Sequence, residues 1–125
     1  MINEDYRPLF DQLRSKMNAN EVIWSKTSSL TQFKLFLDNY TIIVDQWMGH
    51  STQYVKLEIL NSSGDVIGGV MYNLRDHIES YSELSSFYSS VQSYYRTQVT
   101  TALSGVMGEI SKSGKIGKII DDNKK

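Results

Sequence analysis

The chain contains no cysteine. This absence excludes disulfide bonds, thiolate metal sites and cysteine nucleophiles together. Secreted domains of this size often carry disulfides, so a chain without cysteine is more typical of a reducing compartment. Its first five residues are polar and acidic, without the basic start and apolar run of a signal peptide. We therefore predict a cytoplasmic protein.

Long apolar runs and a large net charge are also missing. No stretch approaches the roughly 18 apolar residues that a membrane-spanning helix needs. The formal charge of the 125 residues is -1, so neither a membrane nor nucleic acid is an expected partner. Charge is unevenly spread, because residues 111–125 hold five lysines and two aspartates. We predict one domain over residues 1–110 and a lysine-containing tail over 111–125.

Proline is almost absent, and the one proline, Pro8, lies near the N-terminus. Around it, apolar residues recur at helical spacing: Tyr6, Leu9, Phe10, Leu13 and Met17. Asn3 or Asp5 can cap the start of such a helix, and Pro8 is tolerated in its first turn. The pattern predicts a helix from about residue 5 to 17, ended by Asn18–Asn20.

The apolar period then changes to two. It predicts strands at Val22–Trp24, Phe33–Leu37, Tyr40–Trp47, Val55–Ile59 and Val66–Tyr72. Asp38–Asn39 is predicted to form a tight turn, because both residue types tolerate the left-handed backbone region. Short connections between consecutive strands indicate an antiparallel meander of four or five strands.

The two faces of this sheet have different compositions. Seven apolar residues are predicted to face the helices: Phe33, Leu35, Ile42, Val44, Val55, Leu57 and Ile59. The opposite face carries Phe36, Ile43, Trp47 and Ile67 beside Lys34, Asp45, Lys56 and Glu58. We interpret this second face as an ordinary charged outer surface, with a binding patch as the alternative.

A second helical pattern fills the C-terminal part of the chain. Its apolar stripe consists of Leu84, Tyr88, Val91, Tyr95, Val99, Ala102, Val106 and Ile110. Ser80 and Glu83 match a capping box at the start. A helix of thirty residues spans about 45 Å, more than the diameter of so small a domain. The predicted fold class is α+β, with an N-terminal helix, the antiparallel sheet and this long C-terminal helix.

This helix has few charges, since only Glu83 and Arg96 are charged between Ser80 and Gly108. Serine and threonine allow close approach by another element and lower helix propensity when left in water. Mixtures of tyrosine and serine are also typical of adaptable binding surfaces. The face is either a neutral solvent face or an interface, and we favour the interface. The predicted partner-binding residues are Tyr81, Tyr88, Ser89, Ser93, Tyr94, Tyr95 and Arg96.

Motifs for catalysis are not evident. Asp76, His77 and Glu79 lie close together in sequence, but a metal site needs ligands that converge from several elements. Only His50 and Asp45 offer themselves as further ligands. The glycines between Gly64 and Gly69 lack the spacing of a dinucleotide-binding loop. We therefore predict no catalytic, cofactor-binding or metal-binding residue, and a protein that is not an enzyme.

Several segments together resemble a loose group of small bacterial and phage proteins. The segments are Trp24–Thr27, Phe33–Leu35, Tyr40–Val44, Tyr54–Ile59, Asn61–Ile67 and Glu83–Tyr88. Members of the group share a tryptophan-lysine-threonine start, three or four strands and one long helix. The resemblance implies a bacterial or phage accessory protein and supplies no activity or site residue.

These observations predict a non-enzymatic protein–protein interaction module that forms a homo-oligomer, most simply a dimer. The alternative is a small-molecule or nucleotide binder with a pocket between subunits. A ligand held at stoichiometry in the purified protein would favour the alternative, whereas a co-purifying protein would favour the interaction module.

Overall fold

A computed structural model of the chain describes residues 3–112 and 114–120. A 3₁₀ turn, Glu4–Tyr6, leads into helix α1, Arg7–Asn18. The strands are β1 Ser25–Lys26, β2 Phe33–Phe36, β3 Tyr40–Met48, β4 Gln53–Asn61 and β5 Val66–Asn73, and helix α2, Ile78–Ile110, follows them. The strands form one antiparallel sheet in the order of the chain. This confirms the predicted α+β fold. The predicted tail is described only in part, since Asp121, Asp122, Lys124 and Lys125 lie outside the described residues.

Both ends of the first helix use the predicted residues. The Asn3 side chain accepts a hydrogen bond from the Asp5 amide, at 2.9 Å, and caps the 3₁₀ turn. Pro8 lies in the first turn of α1. Asn20 adopts a left-handed conformation with φ of 59°, and the amide of Glu21 donates to the carbonyl of Lys16 at 2.9 Å. This left-handed stop ends the helix.

The β2–β3 turn forms where it is predicted, but for a different reason. The amide of Leu37 donates to the carbonyl of Tyr40 at 2.8 Å, which closes a two-residue turn over Asp38 and Asn39. Neither turn residue is left-handed, because Asn20 is the only non-glycine residue with positive φ in the described ranges. The expected conformational explanation was therefore wrong.

The hydrophobic core lies between the helices and the predicted inner face of the sheet. Six of the seven residues predicted to face the helices are buried in one cluster, and Ile59 packs against it. Phe10 of α1 meets Phe87 of α2 edge to face, with ring centroids 5.1 Å apart. Leu57 and Val44 are fully buried at the centre. Both helices thus cover the same face of the sheet.

The predicted first strand is shifted, because residues 22–24 bind to α2 instead of a neighbouring strand. The Tyr94 hydroxyl accepts from the Val22 amide at 3.2 Å and donates to the Val22 carbonyl at 2.8 Å. The Gln98 amide group makes the same pair of bonds with the backbone of Trp24, at 3.1 and 2.9 Å. Side chains of α2 therefore use the backbone groups that a strand would need, and β1 begins only at Ser25.

The start of α2 also differs from the prediction. The helix begins at Ile78, after His77 as the N-cap residue, and no side chain caps it. Ser80 and Glu83 lie inside the helix, so they do not form a capping box. Glu83 instead pairs with Arg7 of α1, with 3.1 Å between Oε2 and Nη2.

Candidate functional site: the overhang of helix α2

Helix α2 extends far beyond the sheet on which it packs. Its 33 residues correspond to a length of about 50 Å. Val91 is the last buried residue, and Tyr94, Tyr95 and Gln98 are half-buried. All residues from 99 to 110 are exposed. We call this exposed segment, residues 99–110, the overhang.

The overhang carries a line of exposed apolar side chains. Val99, Leu103, Val106 and Ile110 are 38%, 55%, 53% and 56% exposed. Their spacings of four, three and four residues place them on one side of a helix. We call these four residues the overhang stripe. Met107, which is 67% exposed, lies beside it.

The overhang stripe continues the side of α2 that packs on the sheet. Tyr88 and Tyr95 both contact the ring of Phe33, with centroids 5.7 and 5.3 Å away. Val99 follows Tyr95 by four residues, in the same line along the helix. The same apolar line is thus covered by the sheet as far as Tyr95 and is bare beyond it.

Charged residues are rare on this part of the helix. Arg96 and Glu109 are the only charged residues between Leu84 and Ile110. A solvent-exposed helix normally alternates its apolar face with a strongly charged one. A bare apolar line with so little charge around it is typical of a surface that another protein covers.

Two of the predicted partner-binding residues lie in the core. Tyr81 and Tyr88 are 6% and 4% exposed. The Tyr81 hydroxyl donates to Oε1 of Gln53 at 2.8 Å, and the Tyr88 hydroxyl donates to the carbonyl of Thr31. Burial, together with the negative charge of Asp45, raises the pKa of Tyr88. Both tyrosines are therefore closed to a partner in the folded chain, and Tyr88 remains a neutral donor at physiological pH.

The other predicted residues lie on the surface or at its edge. Ser89 and Ser93 are exposed and line a groove beside Asn18 and Asn20, at the C-terminal end of α1. Tyr94 is held at the edge of the core by its bonds to Val22.

Tyr95 and Arg96 immediately precede the overhang. Tyr95 is half-buried and Arg96 is exposed. Leu103 and Met107 were missing from the predicted apolar stripe, which used Ala102 instead. The spacing of Leu103, four residues after Val99 and three before Val106, was the signal that could have revealed it.

The histidines and their neighbouring carboxylates do not converge. His50 is exposed in the β3–β4 turn, while Nδ1 of His77 accepts from the amide of Asn73 at 3.2 Å. Hydrogen bonds from Asn73 and Arg75 hold the pKa of Asp76 below its usual value. Among the described residues, no group of three or more histidine, aspartate or glutamate side chains is arranged to hold a metal ion.

Replacing both histidines by alanine should change little. The double variant His50→Ala with His77→Ala removes one hydrogen bond that has an exposed donor and an edge contact between the His77 and Tyr72 rings. We expect a loss of at most about 1.5 kcal/mol in the free energy of unfolding and an unchanged oligomeric mass. Urea titration and light scattering measure the two quantities. A changed mass without a larger loss of stability would assign a binding role to a histidine.

The outer face of the sheet is a second candidate surface. Phe36 and Ile67 are 62% and 54% exposed there. The ring of Trp47 stacks on Tyr54 with centroids 5.4 Å apart, and Nζ of Lys56 lies 2.9 Å from Oε1 of Glu58. Charged side chains paired within the chain thus separate the apolar ones. This surface is more mixed in character than the overhang.

The edge of β5 is partly occupied by side chains from other elements. The amide of Gly69 donates to the Tyr6 hydroxyl at 2.8 Å, and the amide of Asn73 donates to His77. An edge strand whose donors are already bonded is a poor template for another strand. Binding of a partner by strand addition is therefore disfavoured at β5.

Two observations complete the description of the site. No helix in the described part of the chain combines the length and apolar character that crossing a bilayer requires. Comparisons of the chain with protein-family models, with curated proteins and with solved structures find no match.

Proposed function

We propose that the protein is a non-enzymatic protein–protein interaction module that works as a homo-oligomer, with the overhang of α2 as its self-association surface. The observation that carries this proposal is the overhang stripe, an apolar line that leaves the sheet at Tyr95 and stays bare to Ile110. A cytoplasmic setting and a bacterial or phage accessory role belong to the proposal through the cysteine-free composition and the resemblance described above.

The apolar area of the overhang is large enough to drive association, but only moderately. Burying one aliphatic side chain completely contributes about 1.5–3 kcal/mol. Four stripe residues and Met107 are each roughly half exposed. Ten such side chains in a dimer therefore contribute on the order of 10 kcal/mol, against an association cost of about 4–15 kcal/mol. At the lower end of that cost the balance favours a dimer that dissociates on dilution.

A charge placed on the stripe tests the proposal. Leu103→Glu forces a carboxylate into the proposed seam, and a buried unpaired charge is strongly unfavourable. Leu103 is 55% exposed in the single chain, so the fold itself should tolerate the change. We expect the wild type to show a concentration-dependent mass above that of one chain in light scattering, and Leu103→Glu to remain a monomer throughout the range.

Two other glutamate variants serve as controls. Thr101 is exposed on the opposite side of the overhang, and Ser93 is exposed in the groove beside α1. Thr101→Glu should associate like the wild type. Ser93→Glu separates the overhang from the Ser89–Ser93 face, because loss of association there would move the interface towards α1. A wild-type protein that stays monomeric at high micromolar concentration would overturn the proposal.

A further inference from the structure

The side of α2 that carries the overhang stripe is free only in its C-terminal half. N-terminal to Tyr95 the helix is occupied by the sheet, as the hydrogen bond of 2.6 Å from the Ser85 hydroxyl to Oε1 of Gln46 and the burial of Tyr88 show. A second copy of α2 can therefore lie along this side only over residues 95–110, a length of about 24 Å.

Two copies can share this length in two directions. In a parallel pair, each residue lies beside its own counterpart. In an antiparallel pair that overlaps fully over residues 95–110, the two-fold axis passes between Ala102 and Leu103. Val99 then lies beside Val106 of the other copy, and Tyr95 beside Ile110. The stripe spacing of four, three and four residues is the same in both directions, so the antiparallel copy presents a matching apolar line.

Charge and bulk distinguish the two directions. A parallel pair places Arg96 at the level of Arg96 of the other copy, and it brings both folded domains to the same end of the helix pair. The antiparallel pair places Arg96 at the level of Glu109 of the other copy and sets the two domains at opposite ends. Opposite charges at one level favour association, whereas like charges oppose it.

We propose that two copies of this chain pair through antiparallel α2 overhangs, with the two-fold axis between Ala102 and Leu103. This inference rests on the proposed self-association and specifies its partner, direction and register. It makes the interface isologous, so that the same surface of both copies is buried and the assembly closes at two. A closed pair also covers the stripe completely and leaves no apolar line for a third copy.

The cysteine-free chain allows a direct test by disulfide crosslinking. Disulfides form only between residues whose Cβ atoms approach to about 3.5–4.5 Å. We would prepare the full-length single variants Val99→Cys and Val106→Cys, reduce them, and oxidise each alone and as an equimolar mixture. Antiparallel pairing predicts a crosslinked dimer in the mixture that is lost when either variant is oxidised alone. Mass spectrometry of the mixture should find Val99→Cys joined to Val106→Cys.

The outcomes separate the pairing from the proposed function. Efficient crosslinking of Val99→Cys with itself would establish parallel pairing and overturn the antiparallel register. Absence of crosslinking in the mixture, in a protein whose mass is that of a dimer, would place the interface elsewhere and also overturn it. A Thr101→Cys control, on the opposite side of the helix, should not crosslink in any combination. A monomeric mass for the wild type would instead refute self-association itself.

Discussion

Replacing Leu57 by alanine should lower the free energy of unfolding by about 2–5 kcal/mol. Leu57 lies in the middle of β4, between β3 and β5, and its side chain is fully buried in the core cluster. The truncation removes buried methyl groups and leaves a cavity beneath α2, which the surrounding close-packed side chains cannot fill. A domain of this kind has only about 5–15 kcal/mol of stability in total, so the loss is a large fraction.

Leu30 supplies the matched control for this substitution. Its side chain is 90% exposed in the connection between β1 and β2. Leu30→Ala should therefore change stability by no more than about 0.5 kcal/mol. Urea titrations of both variants at one protein concentration measure the difference without a contribution from association. A loss below 1 kcal/mol for Leu57→Ala would contradict the assignment of β4 as the central core strand.

Much of the fold could be predicted from the sequence because local patterns determine it. The alternation of apolar and polar residues around Leu57 identifies both the strand and its buried face, since a shift of one residue would expose every apolar side chain. Asn20 and Pro8 punctuate α1 through their backbone preferences alone. Such features depend on neighbours in sequence, which the sequence shows directly.

The errors arose where distant residues decide the structure. The segment 22–24 alternates like a strand, yet Tyr94 and Gln98 bind its backbone from more than 70 residues away. Ser80 and Glu83 match a capping box, but Glu83 pairs with Arg7 inside the helix. Local propensity cannot reveal either contact, because each depends on how α2 lies across the domain.

The candidate site was predicted in kind but not in position. Low charge and length correctly identified α2 as the unusual element, because both are visible in the sequence. Where the sheet ends beneath the helix is a tertiary property. It places Tyr81 and Tyr88 in the core and leaves Leu103 and Val106 bare. The proposed interface therefore lies further towards the C-terminus than the tyrosine-rich segment.

Replacing Gly69 by alanine should destabilise the protein by more than about 3 kcal/mol, because two separate costs combine at this position. The residue lies opposite Glu58 in the β4–β5 pair with φ of 149°, a conformation open almost only to glycine, and holding another residue there costs about 1–3 kcal/mol. A Cβ atom would also collide with the backbone carbonyl of Leu57 and lie 3.0 Å from Cα of Glu58. Relieving such a clash by moving packed backbone costs about 1–3 kcal/mol more.

Gly64→Ala separates the two costs, because Gly64 also has a positive φ, 86°, but has no atom within 4 Å of its added Cβ. It should lose only about 1–2 kcal/mol, the cost of the left-handed conformation. Urea denaturation of both variants gives the comparison, and the excess for Gly69→Ala measures how closely β5 approaches β4. Equal losses for the two variants would show that the strands can separate at Gly69 without penalty. The close approach would then contribute nothing to stability, and glycine would be needed there only for its backbone conformation.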